Sequence, residues 1–119
     1  MRDFKLTKVQ DIINRVNSKQ DFIIDIEGGC DGRYVVGVKN LYKGSNPSIE
    51  PYLQLLVRNE LKEGMHDCIG GWMDKDTNTY YLDSNFKVEQ LGTALKIAKD
   101  NNQKDIYDTV LGLVIEVND

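Results

Sequence analysis

The chain is poor in the residues that usually announce a chemistry. Its 119 residues include one histidine, two cysteines, two prolines and one tryptophan. Two cysteines, Cys30 and Cys68, are too few for a disulfide framework and lack the paired spacing of a zinc module. They read as small, partly buried thiols. No stretch approaches the roughly 18 apolar residues that cross a bilayer. The opening residues, MRDFKLTKVQDIINRVNSK, carry Asp3 and Asp11 and lack a short apolar block with a cleavage site, so a secretory signal is not expected. A cytoplasmic location is the expectation that follows.

Charge is present but mild, with a formal net of −4. Its distribution says more. Residues 1–59 hold nine Lys/Arg against seven Asp/Glu, whereas residues 60–119 hold six against twelve. The acidic second half argues against a nucleic-acid footprint there. The early basic residues Arg2, Lys5, Lys8, Arg15 and Lys19 fit a solvated helix face better than an anion site. Hydrophobic residues make up 40%, and a chain of this length can bury a core without staples. One domain over residues 1–119 is expected.

Hydrophobic spacing predicts the elements. Val9, Ile12, Ile13 and Val16 form one stripe of a helix over 7–18, with Thr7 and Gln10 as a capping box. Residues 21–27 and 33–39 read as strands joined as a hairpin by Gly28-Gly29-Cys30-Asp31-Gly32. Residues 40–48 read as a loop broken by Gly44 and Pro47. Ile49, Leu53, Leu56 and Val57 favour a helix over 49–63, although Tyr52 to Arg58 also suits a strand. Strands are expected at 68–74 and 79–83, then a helix over 87–101 with Val88, Leu91, Leu95 and Ala98 inward, then strands at 105–110 and 113–117. The order α-β-β-α-β-β-α-β-β implies an α+β fold, an antiparallel sheet with helices packed on one face.

Four patterns touch on chemistry, and none reaches a site. Asp74-Lys75-Asp76-Thr77-Asn78 begins like a calcium loop, but Thr79 and Asn85 stand where glycine and a bidentate glutamate belong. It reads as a hairpin turn whose Asp and Asn bond to the backbone. His66, Cys68 and Cys30 form an incomplete zinc set. The same residues lack the orienting group and oxyanion donors of a nucleophile. The glycines of 28–32 open a strand and not a helix, which disfavours a phosphate cradle. No catalytic residue, metal or cofactor is therefore assigned. Paired Gly70-Gly71 suits a bulge or a close backbone approach before Trp72.

Residues 70–108 hold the only Trp and three of the six Tyr. On a regular strand Tyr80 and Tyr81 point to opposite faces, so one of them is expected at the surface. An exposed aromatic beside Asp74, Asp76 and Asp83 repels phosphate and suits a protein partner. The expected contact surface is Trp72, Asp74, Asp76, Asn78, Tyr80 and Asp83.

The same segment carries a resemblance. Gly70, Gly71, Trp72, Asp74, Thr77, Asn78, Tyr80, Tyr81 and Asp83 give G-G-W-x-D-x-x-T-N-x-Y-Y-x-D. Ala94 and Ala98 follow on a helix, then Asn101, Gln103, Ile106, Tyr107 and Asp108. This third of the chain resembles the C-terminal part of small bacteriophage and prophage proteins, many without an assigned role. The resemblance implies a phage accessory protein that acts by binding and not by catalysis, in the host cytoplasm. Some such proteins inhibit host defences, anti-CRISPR proteins among them. Two further functions remain open on the residues: an immunity or antitoxin-like protein whose acidic half meets a basic toxin, and a small nucleotide binder using the 28–32 turn. Neither the resemblance nor the residues exclude a homo-oligomer.

Overall fold

The computed structural model describes residues 6–26, 32–46, 53–63 and 66–117. Among these, three helices and six strands follow in the order α1 (Leu6–Asn17), β1 (Phe22–Asp25), β2 (Tyr34–Gly44), α2 (Leu53–Glu63), β3 (Cys68–Asp74), β4 (Thr79–Val88), α3 (Leu91–Asp100), β5 (Asp105–Asp108) and β6 (Leu113–Glu116). The strands form one antiparallel sheet in the order β1-β3-β4-β2-β5-β6. The fold is α+β.

Residues directly opposite in an antiparallel pair share a face, and the register assigns both core clusters to the same one. Phe22, Gly71 and Leu82 are aligned across β1, β3 and β4, and Leu82 is opposite Tyr42 of β2. This row meets Val9, Ile12 and Val16 of α1 and Leu53, Val57 and Leu61 of α2 in the larger cluster. Each fully buried Val, Leu or Ile contributes about 1.5–3 kcal/mol. Tyr34, Val36 and Ile106 meet Ala94 and Ala98 of α3 in the smaller cluster. Tyr34 is opposite Val88, and Val36 is opposite Phe86. Since Leu82, Phe86 and Val88 are separated by even steps on one strand, they share a face. The three described helices therefore cover one side of the sheet, and among the described residues no helix lies on the other.

Several sequence expectations need correction. β1 and β2 do not form a hairpin: β1 pairs with β3 and β2 with β4. Residues 28–31 of the expected turn, and Glu27 of the expected strand before it, lie outside the described residues. β2 continues to Gly44 through part of the expected loop, with irregularities between Gly37 and Lys39 and between Asn40 and Tyr42. Each inserts one residue into β2, so the inward positions run 34, 36, 39 and 42. That spacing hides a strand from a search for strict alternation. β4 runs on to Val88, and α3 begins only at Leu91. Ala94 and Ala98 are the buried residues of α3, while Leu91 is exposed. Thr7 lies inside α1 and does not cap it, and Gln10 donates to Asn14 instead. The uncertain 49–63 segment is helical over its described part, Leu53–Glu63.

Candidate functional site

The strongest candidate is the helix-free face of the sheet around the β3–β4 hairpin. Trp72 and Tyr81 are direct cross-strand partners. Their rings stack with centroids 4.7 Å apart and planes 11° from parallel. Lys43 of β2 is opposite Tyr81 and sets its Nζ 5.7 Å from that ring centre. An ammonium–phenol–indole row thus crosses three strands. The next row is Gly70, Asp83 and Asn40. Asn40 Nδ2 donates to Asp83 Oδ1 at 2.8 Å. Burial pushes the Asp83 carboxyl up from its ordinary value, against hydrogen bonds from Asn40 and Trp72 that favour the charged form. The Trp72 side chain is therefore held by its stack on Tyr81 while remaining 46% exposed. Ile23 of β1, beside Gly70, is exposed on the same face.

The hairpin tip behaves as a turn. The Asp76 N–H donates to Asp74 Oδ1 at 3.0 Å, and Asn78 takes a left-handed φ of 52°. This is the Asx geometry that such residues favour. Asp76 and Asn78 are exposed, and Asp74 is half-buried.

Of the six expected contact residues, Trp72, Asp74, Asp76, Asn78 and Asp83 lie on this hairpin and its helix-free side. Tyr80 does not. It is fully buried, and its hydroxyl donates to the Gln20 carbonyl at 2.7 Å. Burial raises its pKa, so the phenol stays neutral. Tyr80 shares parity with Leu82, and that apolar alternation was the cue to which tyrosine turns inward. Its place on the surface is taken by Tyr81. Lys43 and Asn40 were missed because β2 was read as ending at Lys39.

A second cluster lies under α2. Glu60 of α2 is 3% exposed. Ser84 Oγ donates to Glu60 Oε1 at 2.7 Å, and Lys39 Nζ approaches Oε2 at 3.2 Å. His66 Nδ1 lies 3.0 Å from both Glu60 Oε1 and Ser84 Oγ. Its ring meets Phe86 edge-on at 5.0 Å. Burial pushes Glu60 up, but the hydrogen bonds from His66, Ser84 and Lys39 outweigh it and hold the carboxyl below its usual value. Serine, histidine and glutamate are all present, yet the geometry is not a proton relay. A relay uses both ring nitrogens, one toward the serine and one toward the acid. Here one nitrogen faces both, and Ser84 is fully buried. The cluster ties α2 to the sheet.

Cys68 is separated from His66 by the sheet. It is opposite Asn85 on the helix-free face, whereas Ser84 and His66 lie on the helix side. It is fully buried, and burial pushes its thiol up to about 12. Such a thiol is a poor nucleophile at neutral pH. Cys30 lies outside the described residues, and among the described residues no group of three His, Cys, Asp or Glu is placed to hold a metal ion. No described helix is long and apolar enough to cross a membrane.

No family model matches the chain, and no significant match was found among curated proteins or solved structures.

Proposed function

We propose that this protein acts by binding another protein through the Trp72–Tyr81 face, as a small phage or mobile-element accessory protein that antagonises a host defence system. The carrying observation is Trp72, stacked on Tyr81 yet nearly half exposed on a sheet face that no described helix covers. An aromatic side chain already held in one orientation loses little entropy on binding. Hot spots at protein interfaces are enriched in Trp and Tyr for this reason among others. Lys43 at the end of the aromatic row, Asp83 in the row to one side of it and Asp74 and Asp76 toward the hairpin tip on the other add charges that select a partner. The acidic hairpin disfavours nucleic acid. The phage and host-defence part of the reading rests on the resemblance of residues 70–108.

An immunity or antitoxin-like protein would use the same face against a basic toxin, and the identity of the partner separates the two readings. The test is affinity capture from a bacterial host lysate, followed by binding measured with the purified partner. Trp72→Ala is expected to weaken binding by about 2 kcal/mol or more, roughly thirtyfold in Kd. Asp74→Ala with Asp76→Ala should weaken it less. A captured partner that binds Trp72→Ala, Tyr81→Ala and the double aspartate variant as well as the parent would rule out this surface.

A further inference from the structure

The two ends of the sheet are finished differently. At the β1 end the edge is blunted. Lys8 Nζ donates to the carbonyls of Asp25 and Ile26 at 3.0 and 3.1 Å, and Asp25 forms an ion pair with Lys87. Charged side chains on a short strand are a usual guard against edge pairing. At the β6 end the strand is equally short and carries only Glu116, and among the described residues no side chain bonds its outward backbone groups. β6 pairs only with β5, and its sequence is Leu-Val-Ile-Glu. Val110, Leu111, Leu113 and Val114 are all more than half exposed.

The register tells which backbone groups face outward. Val117 N–H donates to the Lys104 carbonyl at 2.7 Å. In an antiparallel pair, bonding alternates residue by residue. Residues 113, 115 and 117 therefore bond toward β5, and Val114 and Glu116 turn their N–H and C=O groups outward. The smaller core is open on this side. α3 lies over β2, β5 and β4, while Ile115 and Val117 are only partly buried against the cluster, as are Leu95 and Ile97.

We infer that β6 pairs antiparallel with β6 of a second copy about a two-fold axis through Ile115, making one sheet continuous through two molecules. The strand is complementary to itself in this register. Val114 meets Glu116 of the other copy, and the outward groups of these two residues make the new ladder. On the helix side Leu113 meets Val117, Ile115 meets its own counterpart, and the two small cores join across the axis. No like charges face each other, since each Glu116 is opposite a valine. An isologous contact of this kind closes after two subunits.

Sedimentation velocity across micromolar concentrations tests the inference. The expected mass is twice the 13.6 kDa of one chain. Val114→Pro removes an outward N–H without touching the bonds to β5, and Val114→Lys adds an edge charge with the backbone intact. Both variants should sediment as one chain with unchanged circular dichroism. Ile115→Cys, in a Cys30→Ser background, should form a covalent dimer on mild oxidation. Residues facing each other at a non-bonded antiparallel position have Cα atoms about 4.5 Å apart, within disulfide reach. A parent protein that stays monomeric overturns the inference. So does a dimer that survives Val114→Pro or Val114→Lys, or a dimeric parent whose Ile115→Cys variant does not cross-link.

Discussion

At position 71 there is room for a hydrogen atom and nothing larger. A Cβ there would run into the Tyr80 hydroxyl and the Phe22 ring. Gly71→Ala should therefore cost about 1–3 kcal/mol by overpacking, read in urea denaturation. Tyr80→Phe removes the hydroxyl and should cost about 0.5–1.5 kcal/mol through the lost bond to Gln20. The double variant should be less damaging than the two losses added, because the collision is partly relieved. The paired glycines announced a close approach in the sequence. What approached them was not legible, since Phe22 is far off in the chain. Asp108 supports a second prediction at this scale. Arg33 grips its buried carboxylate through two bonds of 2.8 and 2.9 Å, and the Val110 and Leu111 N–H groups also point at it. These bonds hold its pKa down to about 2 from 3.8. A carboxyl depressed on folding contributes stability that is present above its unfolded pKa and disappears as the pH falls through its folded pKa. Asp108→Asn should lower the thermal midpoint at pH 6. The gap to the parent should narrow between pH 4 and pH 2.

The contact of α2 with the sheet depends on a polar clasp as well as on Leu53, Val57 and Leu61. Ser84 donates to a carboxylate shielded from water, a bond stronger than a neutral one. Ser84→Ala should cost about 1–3 kcal/mol, because Glu60 then keeps its charge with one donor fewer. Thermal unfolding of the two proteins at pH 7 measures it, and an unchanged midpoint would show that the clasp adds nothing to stability. This clasp also explains where sequence reading failed. An inward serine interrupts the apolar alternation of β4 after Leu82, so the strand was read as ending at Asp83. Inward spacings of two, three and three did the same for β2. The β3 strand, from Cys68 to Asp74, has the bounds expected of it, because the Asp and Asn turn residues after Asp74 mark its end. Of the expected inward stripe of α3, Ala98 is buried and Val88 and Leu95 pack partly against the smaller core, whereas Leu91 is exposed and the small Ala94 packs against the sheet in its place.

Across the whole molecule the α+β class was legible in the sequence, because class follows from the kinds of element and their succession. The pairing of strands was not. β1 and β2 are neighbours in the chain and the nearest partners for a hairpin, yet two other strands lie between them in the sheet. The candidate surface was half legible for a related reason. Residues close in sequence, Trp72 to Asp83, could be grouped by eye. Lys43 and Asn40 join them only through the long pairing of β2 with β4.

That pairing bears on how the protein is made. β2 leaves the ribosome well before β4, and Tyr34 must wait for Val88 to be synthesised before their strands can align. Until then an eleven-residue strand with Val35, Val36 and Tyr42 has no mate. Local hairpins close in microseconds, whereas distant strands carry a loop-closure penalty and assemble more slowly. The β3–β4 hairpin therefore serves as the template on which the earlier half of the nascent chain is finally organised.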